Sequence, residues 1–212
     1  MHRPVKHLLA MGLAFCLFLL TQSRLHAQEV GLQWADGLLT GQTCSPTGVA
    51  TDANKNVYVT GYFTGTVDFN PAAAAANLTS LGGSDIFVAK YDQFGRYLWA
   101  KRIGAADEER GYELVADAAG NVYVTGFFSG TVDFDPNAGV SNLTTTGGAA
   151  GQDPYLLKLN TSGNFVWARR MGVGGFAWGL SFDPAGNIIV GGIYGCWNRH
   201  IRLLLCYFRR RV

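Results

Sequence analysis

Short apolar runs separated by turn residues extend along most of the chain. Val122 and Val124 alternate with Tyr123 and Thr125, which is the period of two that a β-strand produces. Both sets are largely apolar, so we expect both faces of the sheet to be covered. β-branched and aromatic residues dominate these runs, and helical periodicity is absent beyond residues 1–27. The pattern predicts an all-β fold.

Two sequence segments recur at a nearly constant spacing and define a repeat. They are residues 52–70, 117–135 and 183–195, and residues 85–104 and 153–172. The first segment recurs at offsets of 65 and 66 positions, and the second at 68 because one loop is three residues longer. Each complete repeat is predicted to contain four short strands, which in the second repeat are residues 114–116, 121–128, 153–159 and 164–170.

Turns of the form Asp-x-x-Gly join the predicted strands. Glycine adopts a positive φ at no steric cost, and the leading Asp accepts loop N–H groups in an Asx-turn. Lys55 stands where other copies have glycine, and we expect it in the left-handed region at a cost of about 1 kcal/mol. The predicted turn residues are Asp52, Asp92, Gly95, Asp117, Gly120, Asp183 and Gly186.

A four-stranded sheet that is apolar on both faces must stack on its neighbours. Radial repetition into a β-propeller satisfies this requirement, and a β-sandwich built from hairpins is the alternative. The residue-for-residue agreement of the repeats favours the propeller, because sandwich strands lie in different environments. Closure takes about 4–8 blades. The chain holds about two and a half, which predicts an incomplete propeller that self-associates through open blade edges.

The repeats resemble the bacterial seven-bladed β-propeller repeat family, often written SBBP. The resemblance covers residues 30–195 and rests on two runs: Asp-x-x-Gly-Asn-x-Tyr-Val-Thr-Gly-x-Phe-x-Gly-Thr-Val-Asp-Phe, and Asp-x-Phe-Val-Ala-Lys-Tyr-Asp-x-x-Gly-x-x-x-Trp-Ala-Lys-x-Gly. It implies an exported bacterial protein, often carrying adhesion-type modules. It implies no shared catalytic residues.

The predicted organisation has three parts. A signal peptide (1–27) precedes a partial propeller (28–195) and an off-pattern basic tail (196–212). Within the propeller, residues 28–45 end a preceding blade, residues 46–104 and 111–172 are blades, and residues 177–195 are half a blade. The tail interrupts the repeat and carries five arginines, which favours a frameshift or truncated gene. A basic membrane-surface tail is the alternative.

The amino-terminal residues have the features of a secretory signal. Arg3 and Lys6 precede an apolar run at residues 8–21, and Ala27 stands before the expected cleavage site. These 14 residues would span only ~21 Å as a helix, short of the ~30 Å hydrocarbon core, which disfavours a transmembrane anchor. We expect export to the periplasm, the cell surface or the medium, with no transmembrane span after cleavage.

The charge and the cysteine content limit the kinds of partner and of structural site that the chain can have. Residues 28–195 carry 9 basic and 15 acidic residues, a net charge of −6, which argues against nucleic acid as a partner. Cys44, Cys196 and Cys206 follow the signal, an odd number with no zinc-site spacing and no disulfide framework.

A repeated acidic segment is the only candidate for a cofactor site. Its alternating oxygen ligands could serve a calcium loop, but calcium takes 6–8 oxygens and the EF-hand glycine and glutamate are missing. A turn built by Asp and Pro is the favoured interpretation. The calcium candidates are Asp68, Asn70, Asp133 and Asp135.

Repeated tryptophans and basic pairs admit a structural or a binding role. Trp34, Trp99 and Trp167 could line a sugar-binding face, but packing in the blade core is favoured because a buried indole contributes on the order of 200 Å². The basic pairs at residues 101–102 and 169–170 could meet an anionic ligand, although alternation along an exposed strand accounts for them.

No catalytic constellation can be assembled from the sequence. His200 is the only histidine after the signal, and no nucleophile with a base or pair of carboxylates is evident. We therefore predict a non-catalytic exported repeat protein, a cell-surface or secreted binding, adhesion or scaffold module for a surface glycan or protein. One alternative is a carbohydrate-active hydrolase or lyase with catalytic residues in missing blades. The other is a non-functional gene fragment.

Overall fold

The computed structural model of the protein describes residues 43–70, 72–146, 151–195 and 201–208. These residues form fifteen β-strands. None of them belongs to a helix, and hence none to an apolar helix that could cross a membrane. The predicted all-β class is confirmed. Trp34 and the predicted signal at residues 1–27 lie outside the described residues.

Each complete repeat is a four-stranded antiparallel sheet with a two-stranded ribbon inserted between its second and third strands. Repeat 1 contains β1 (Cys44–Thr51), β2 (Val57–Phe63), β3 (Thr66–Asp68), β4 (Asn77–Thr79), β5 (Asp85–Tyr91) and β6 (Tyr97–Ile103). Repeat 2 contains β7 (Arg110–Ala116), β8 (Val122–Ser129), β9 (Thr131–Asp133), β10 (Asn142–Thr144), β11 (Gln152–Leu159) and β12 (Phe165–Arg170). The sheets have the orders β1-β2-β5-β6 and β7-β8-β11-β12. The four-stranded blades are confirmed, whereas the ribbons β3-β4 and β9-β10 were not predicted.

Repeat 3 is a three-stranded sheet made of β13 (Gly175–Phe182), β14 (Ile188–Gly195) and β15 (Ile201–Phe208). Antiparallel pairing runs from Gly195 opposite Ile201 to Ile188 opposite Phe208. β15 takes the place that β5 and β11 hold in the complete repeats. The third sheet therefore extends beyond the half blade predicted at residues 177–195. Backbone pairing needs no particular side chain, so the off-pattern sequence can continue the sheet.

The sheets pack face to face, and their contact surfaces form the core. Every residue of β5 is buried, as expected for a strand covered on both faces. One apolar cluster joins repeats 1 and 2 and includes Tyr58, Val88 and Leu157. Another joins repeats 2 and 3 and includes Leu156 and Val190. The stacking of successive sheets thus agrees with the propeller-type arrangement predicted from the repeats.

A β-bulge occurs at the same place in the first strand of each repeat. The extra residues are Thr47, Tyr112 and Trp178, and the glycines paired with the preceding residue are Gly61, Gly126 and Gly192. A Cβ at Gly126 would lie 1.9 Å from the carbonyl oxygen of Arg110, and similar overlaps occur at the other two glycines. Each of these three glycines ends a Val-x-Gly sequence. Glycine is required there because the bulged backbone occupies the space that a side chain would take.

The Asp-led turns use the hydrogen bonds of an Asx-turn. Asp52 Oδ1 accepts the N–H groups of Asn54 and Asn56 at 2.9 and 3.0 Å. Lys55 has a φ of 62°, so its predicted left-handed conformation is confirmed. Asp92, Asp117 and Asp183 accept the same two bonds, and Gly95, Gly120 and Gly186 have φ values of 79°, 79° and 77°.

Lys55→Gly should raise the melting temperature, because glycine removes the strain of a side chain at positive φ. We expect a gain of at most about 1 kcal/mol, since glycine also has more freedom in the unfolded chain. Gly95→Ala, which places a side chain at the same turn position, is the converse control and should lower it. Thermal unfolding of the two variants and the parent chain measures both changes in melting temperature. A lower melting temperature for Lys55→Gly would contradict the inferred strain at Lys55.

Gly126→Ala should disrupt the bulge of repeat 2 and destabilise the fold by roughly 2–4 kcal/mol, because the new methyl group overlaps backbone that has nowhere to move. Gly191→Ala is the matched control. The nearest atom to a Cβ there is 4.0 Å away, so its stability should stay within about 0.5 kcal/mol. Denaturant unfolding of both variants measures the difference, and equal stabilities would show that the bulge tolerates a side chain.

Candidate functional site

The calcium candidates close the ends of the ribbons. Asp68 Oδ1 accepts the N–H groups of Asn70 and Ala76 at 2.9 and 2.8 Å. Asp133 makes the equivalent pair of bonds, one of them with the N–H of Asp135 at 3.0 Å. Within the described residues, no group of three or more His, Cys, Asp or Glu side chains could hold a metal ion. The geometry is that of a turn held by a carboxylate.

The described repeated tryptophans lie between repeats. The Trp99 indole donates to the Thr161 carbonyl of repeat 2 at 3.1 Å, and its ring stands edge-on to Tyr58 at 6.1 Å. Trp167 repeats the aromatic contact with Tyr123, also at 6.1 Å. Both indoles pack against the inter-repeat clusters rather than forming a free sugar-binding face.

One arginine of each basic pair is bound to a buried aspartate. Arg102 lies 3.0 Å from Asp85, and Arg170 lies 3.2 Å from Asp153. Both carboxylates are inaccessible to solvent. These arginines therefore neutralise internal charges and are not free for an anionic ligand. In the sequence, each of these aspartates lies at or next to the start of the third long strand of its repeat, 17 positions before its arginine.

A polar network also crosses the interface between repeats 1 and 2. Buried Lys90 donates to Thr161 Oγ1 at 3.0 Å and lies 3.9 Å from Asp52. The Tyr58 hydroxyl lies 3.0 Å from Asp52 Oδ2 and 3.1 Å from the Gly120 carbonyl oxygen, and it donates its single proton to one of them at a time. Burial alone would raise the pKa of Asp52, but hydrogen bonds, mainly from its own turn, hold that pKa below its ordinary value. Asp52, a turn residue of repeat 1, is thus part of the polar network that binds two turns of repeat 2.

A groove opens where loops of repeats 1 and 2 meet, at the end of the sheets where β6 leads into β7 and β8 into β9. We call it the loop-end groove. Its volume is ≈ 580 Å³. It is lined by Gly83, Ala106, Asp107, Glu108, Ser129, Gly130, Thr145, Gly151 and Gln152. Carboxylates, hydroxyls, an amide and exposed glycine backbone therefore face one space. The loop at residues 105–109 has no counterpart of the same sequence in the other repeats.

Arg110 supports one wall of the loop-end groove. Its guanidinium lies 4.5 Å from the ring centroid of Tyr62 and 5.9 Å from that of Phe127, so two repeats hold it in place. It also binds the carboxylate of Glu108 at 3.3 Å. A stacked arginine loses little freedom on pairing, so Glu108 is presented to the groove by a fixed partner.

Glu109, beside the groove, is a buried carboxyl group. It is 0% exposed, and one oxygen accepts the Ala105 N–H at 2.8 Å. Its other oxygen has no hydrogen-bond partner among the described residues. Burial raises the pKa of Glu109 to about 7, and the nearby charges of Asp85 and Asp107 add to the effect. No sequence pattern predicted this residue.

Comparison with known proteins supports a repeat protein of the β-propeller type. No protein-family model matches the chain. The chain is similar to an uncharacterised WD repeat-containing protein, L264, of Acanthamoeba polyphaga mimivirus, with 25% identity over 169 residues. The match spans 69% of this chain and 12% of the viral protein. The resemblance to the bacterial seven-bladed family is not shown by this match.

Glu109→Gln should stabilise the protein at pH 8 relative to the parent chain. The pKa of Glu109 rises from 4.5 to about 7 on folding, so its stabilising proton is retained at low pH and lost as the pH rises through 7. Glutamine keeps the neutral shape, and we expect a gain of at most roughly 3 kcal/mol at pH 8 that vanishes near pH 4. Denaturant unfolding between pH 4 and 8 tests this, with exposed Glu108→Gln as control. A pH-independent difference would contradict it.

Proposed function

We propose that this chain is a non-catalytic β-propeller repeat module of the bacterial seven-bladed type, which acts after export by binding a surface glycan in the loop-end groove. The observation that carries the proposal is the separation of two sets of polar residues. The polar residues common to the repeats are engaged in folding, whereas the carboxylates of the groove, Asp107 and Glu108, come from a loop that has no counterpart of the same sequence in the other repeats.

The repeated polar residues have internal partners. Asp85 and Asp153 bind arginines, and Asp52 binds its own turn and the Tyr58 hydroxyl. Such residues hold the scaffold and would be needed whatever the ligand. Variation in connecting loops on a rigid scaffold is the usual means by which repeat proteins acquire binding specificity.

The groove has the chemistry of a site for a polyhydroxylated ligand. Asp107 and Glu108 offer acceptors, Ser129 and Thr145 offer hydroxyl groups, and Gln152 offers both a donor and an acceptor. Sugar hydroxyls donate and accept in the same way. Its volume of ≈ 580 Å³ lies within the range of small-ligand sites, about 300–1,000 Å³.

Glycan binding can be tested with the full chain on an array of immobilised bacterial and host polysaccharides, followed by titration of any hit. Gln152→Ala and Glu108→Gln should each weaken binding about tenfold, because each removes a hydrogen bond from the groove. Gln93→Ala, an exposed residue of the β5–β6 turn, is the matched control and should bind normally.

Three results would overturn the proposal. Undiminished binding by both groove variants would place the ligand elsewhere. Release of shortened product from a bound polysaccharide would identify a hydrolase or lyase, the alternative that requires catalytic residues. Binding of a protein partner, with no glycan bound on the array, would show that the ligand is a protein and not a glycan.

A further inference from the structure

Equivalent positions in the three repeats differ sharply in exposure, and the differences reveal an uncovered face on repeat 1. Val49, Leu114 and Leu180 occupy one position of the first strand in successive repeats. Leu114 is 1% exposed because repeat 1 covers it, and Leu180 packs against the cluster between repeats 2 and 3. Val49 is 65% exposed. Among the described residues, no preceding repeat covers the surface of repeat 1 that repeats 2 and 3 bury.

Repeat 3 has an uncovered face of the opposite kind. In β14, Ile188 and Val190 are buried against repeat 2, whereas Ile189 between them is only half-buried. The residues equivalent to Ile189 are Tyr58, which is 0% exposed, and Tyr123, which is 8% exposed. Those tyrosines are covered by the following repeat. Within the part of the chain that the structure describes, no following repeat covers the face of repeat 3 that carries Ile189, whereas the same face is covered in repeats 1 and 2.

The bulge residues show how one repeat engages the next. Thr47 donates its hydroxyl to the Gly111 carbonyl of repeat 2 at 2.8 Å. Tyr112 packs edge-on against Phe176 of repeat 3 at 6.5 Å. Each bulge side chain thus leans onto the start of the following first strand. Trp178, the third member of the series, is a large indole that is 49% exposed.

We propose that the Trp178 face of one copy of this chain packs on the Val49 face of a second copy. The two faces are the same pair of surfaces that join repeat 1 to repeat 2 and repeat 2 to repeat 3, so a second copy can continue an interface the chain already makes. In that register, Trp178 of one copy lies over Ser45 of the other. Ser45 occupies the first-strand position that Arg110 holds in repeat 2 and Phe176 holds in repeat 3. The proposed association uses sheet faces, unlike the association through open blade edges that the repeat pattern predicts.

The expected assembly is a closed dimer. A head-to-tail contact is heterologous and forms a ring when the rotation closes. The described residues of two copies bring together six stacked sheets, which lies within the about 4–8 blades that close a propeller. The dimer would contain two identical contacts between Trp178 and the Val49 face, and the interface is independent of the loop-end groove and of any ligand.

The oligomeric state of the full chain should be measured by sedimentation velocity across a hundredfold range of concentration. Trp178→Asp and Val49→Asp each place a charge in one face and should raise the dissociation constant at least tenfold, leaving a monomer. Both side chains are exposed in the single chain, so folding should be unaffected. Val140→Asp alters a valine that is 76% exposed on neither face, and this control should remain dimeric.

A mixing experiment tests whether the two faces meet each other. Trp178→Asp and Val49→Lys chains should each be monomeric alone. Mixed in equal amounts, they should form a dimer, because the unchanged Trp178 face of one chain meets the unchanged Val49 face of the other. A monomeric parent chain at all concentrations, an assembly that survives both single variants, or a mixture that stays monomeric would overturn the proposal.

Discussion

The packing of one sheet face on the next is the interaction on which the rest of this structure depends. A four-stranded sheet with apolar side chains on both faces cannot bury them by itself, and burial contributes about 25 cal/mol for each Å² of apolar surface. The fully buried β5 shows that the interior strands are covered on both sides. The bulge glycines let neighbouring strands pair within each sheet, and the turn at Asp52 contributes polar contacts between successive sheets.

Close approach also decides where polar groups can stand. Asp85 and Asp153 are inaccessible to solvent and are tolerated because an arginine and backbone N–H groups bind them. Lys90 is buried beside Asp52 and Thr161 for the same reason. Exceptions among the described residues are one oxygen of Glu109, Arg110 Nε and the Tyr155 hydroxyl, which are buried without a hydrogen-bond partner. Polar groups free to meet a ligand are thus found at the loop ends rather than inside the sheets.

The proposed glycan site and the proposed contact between copies use different parts of the molecule. The groove is built by loops and by the strand-end residues Ser129 and Gln152, and its carboxylates lie in the loop at residues 105–109, where sequence can vary without disturbing the stacked sheets. The Val49 and Trp178 faces belong to the stacked surfaces themselves, whose chemistry is set by the repeat. A change in one can therefore be made without altering the other, and an assembled ring would present several loop ends on one scaffold.

The sequence by itself determined the features that depend on neighbours along the chain. The period-two pattern predicted the strands, the repeat predicted stacked four-stranded sheets, and the alignment of Lys55 with glycines predicted its positive φ, because a tight turn is a local structure. Only the tertiary structure revealed the ribbons, the bulges opposite Gly61 and Gly126, the pairing of Arg102 with Asp85, and the raised pKa of Glu109. These depend on burial and on contacts between distant segments. Spacing along one chain does not specify such contacts, because they are decided by how closely the sheets pack.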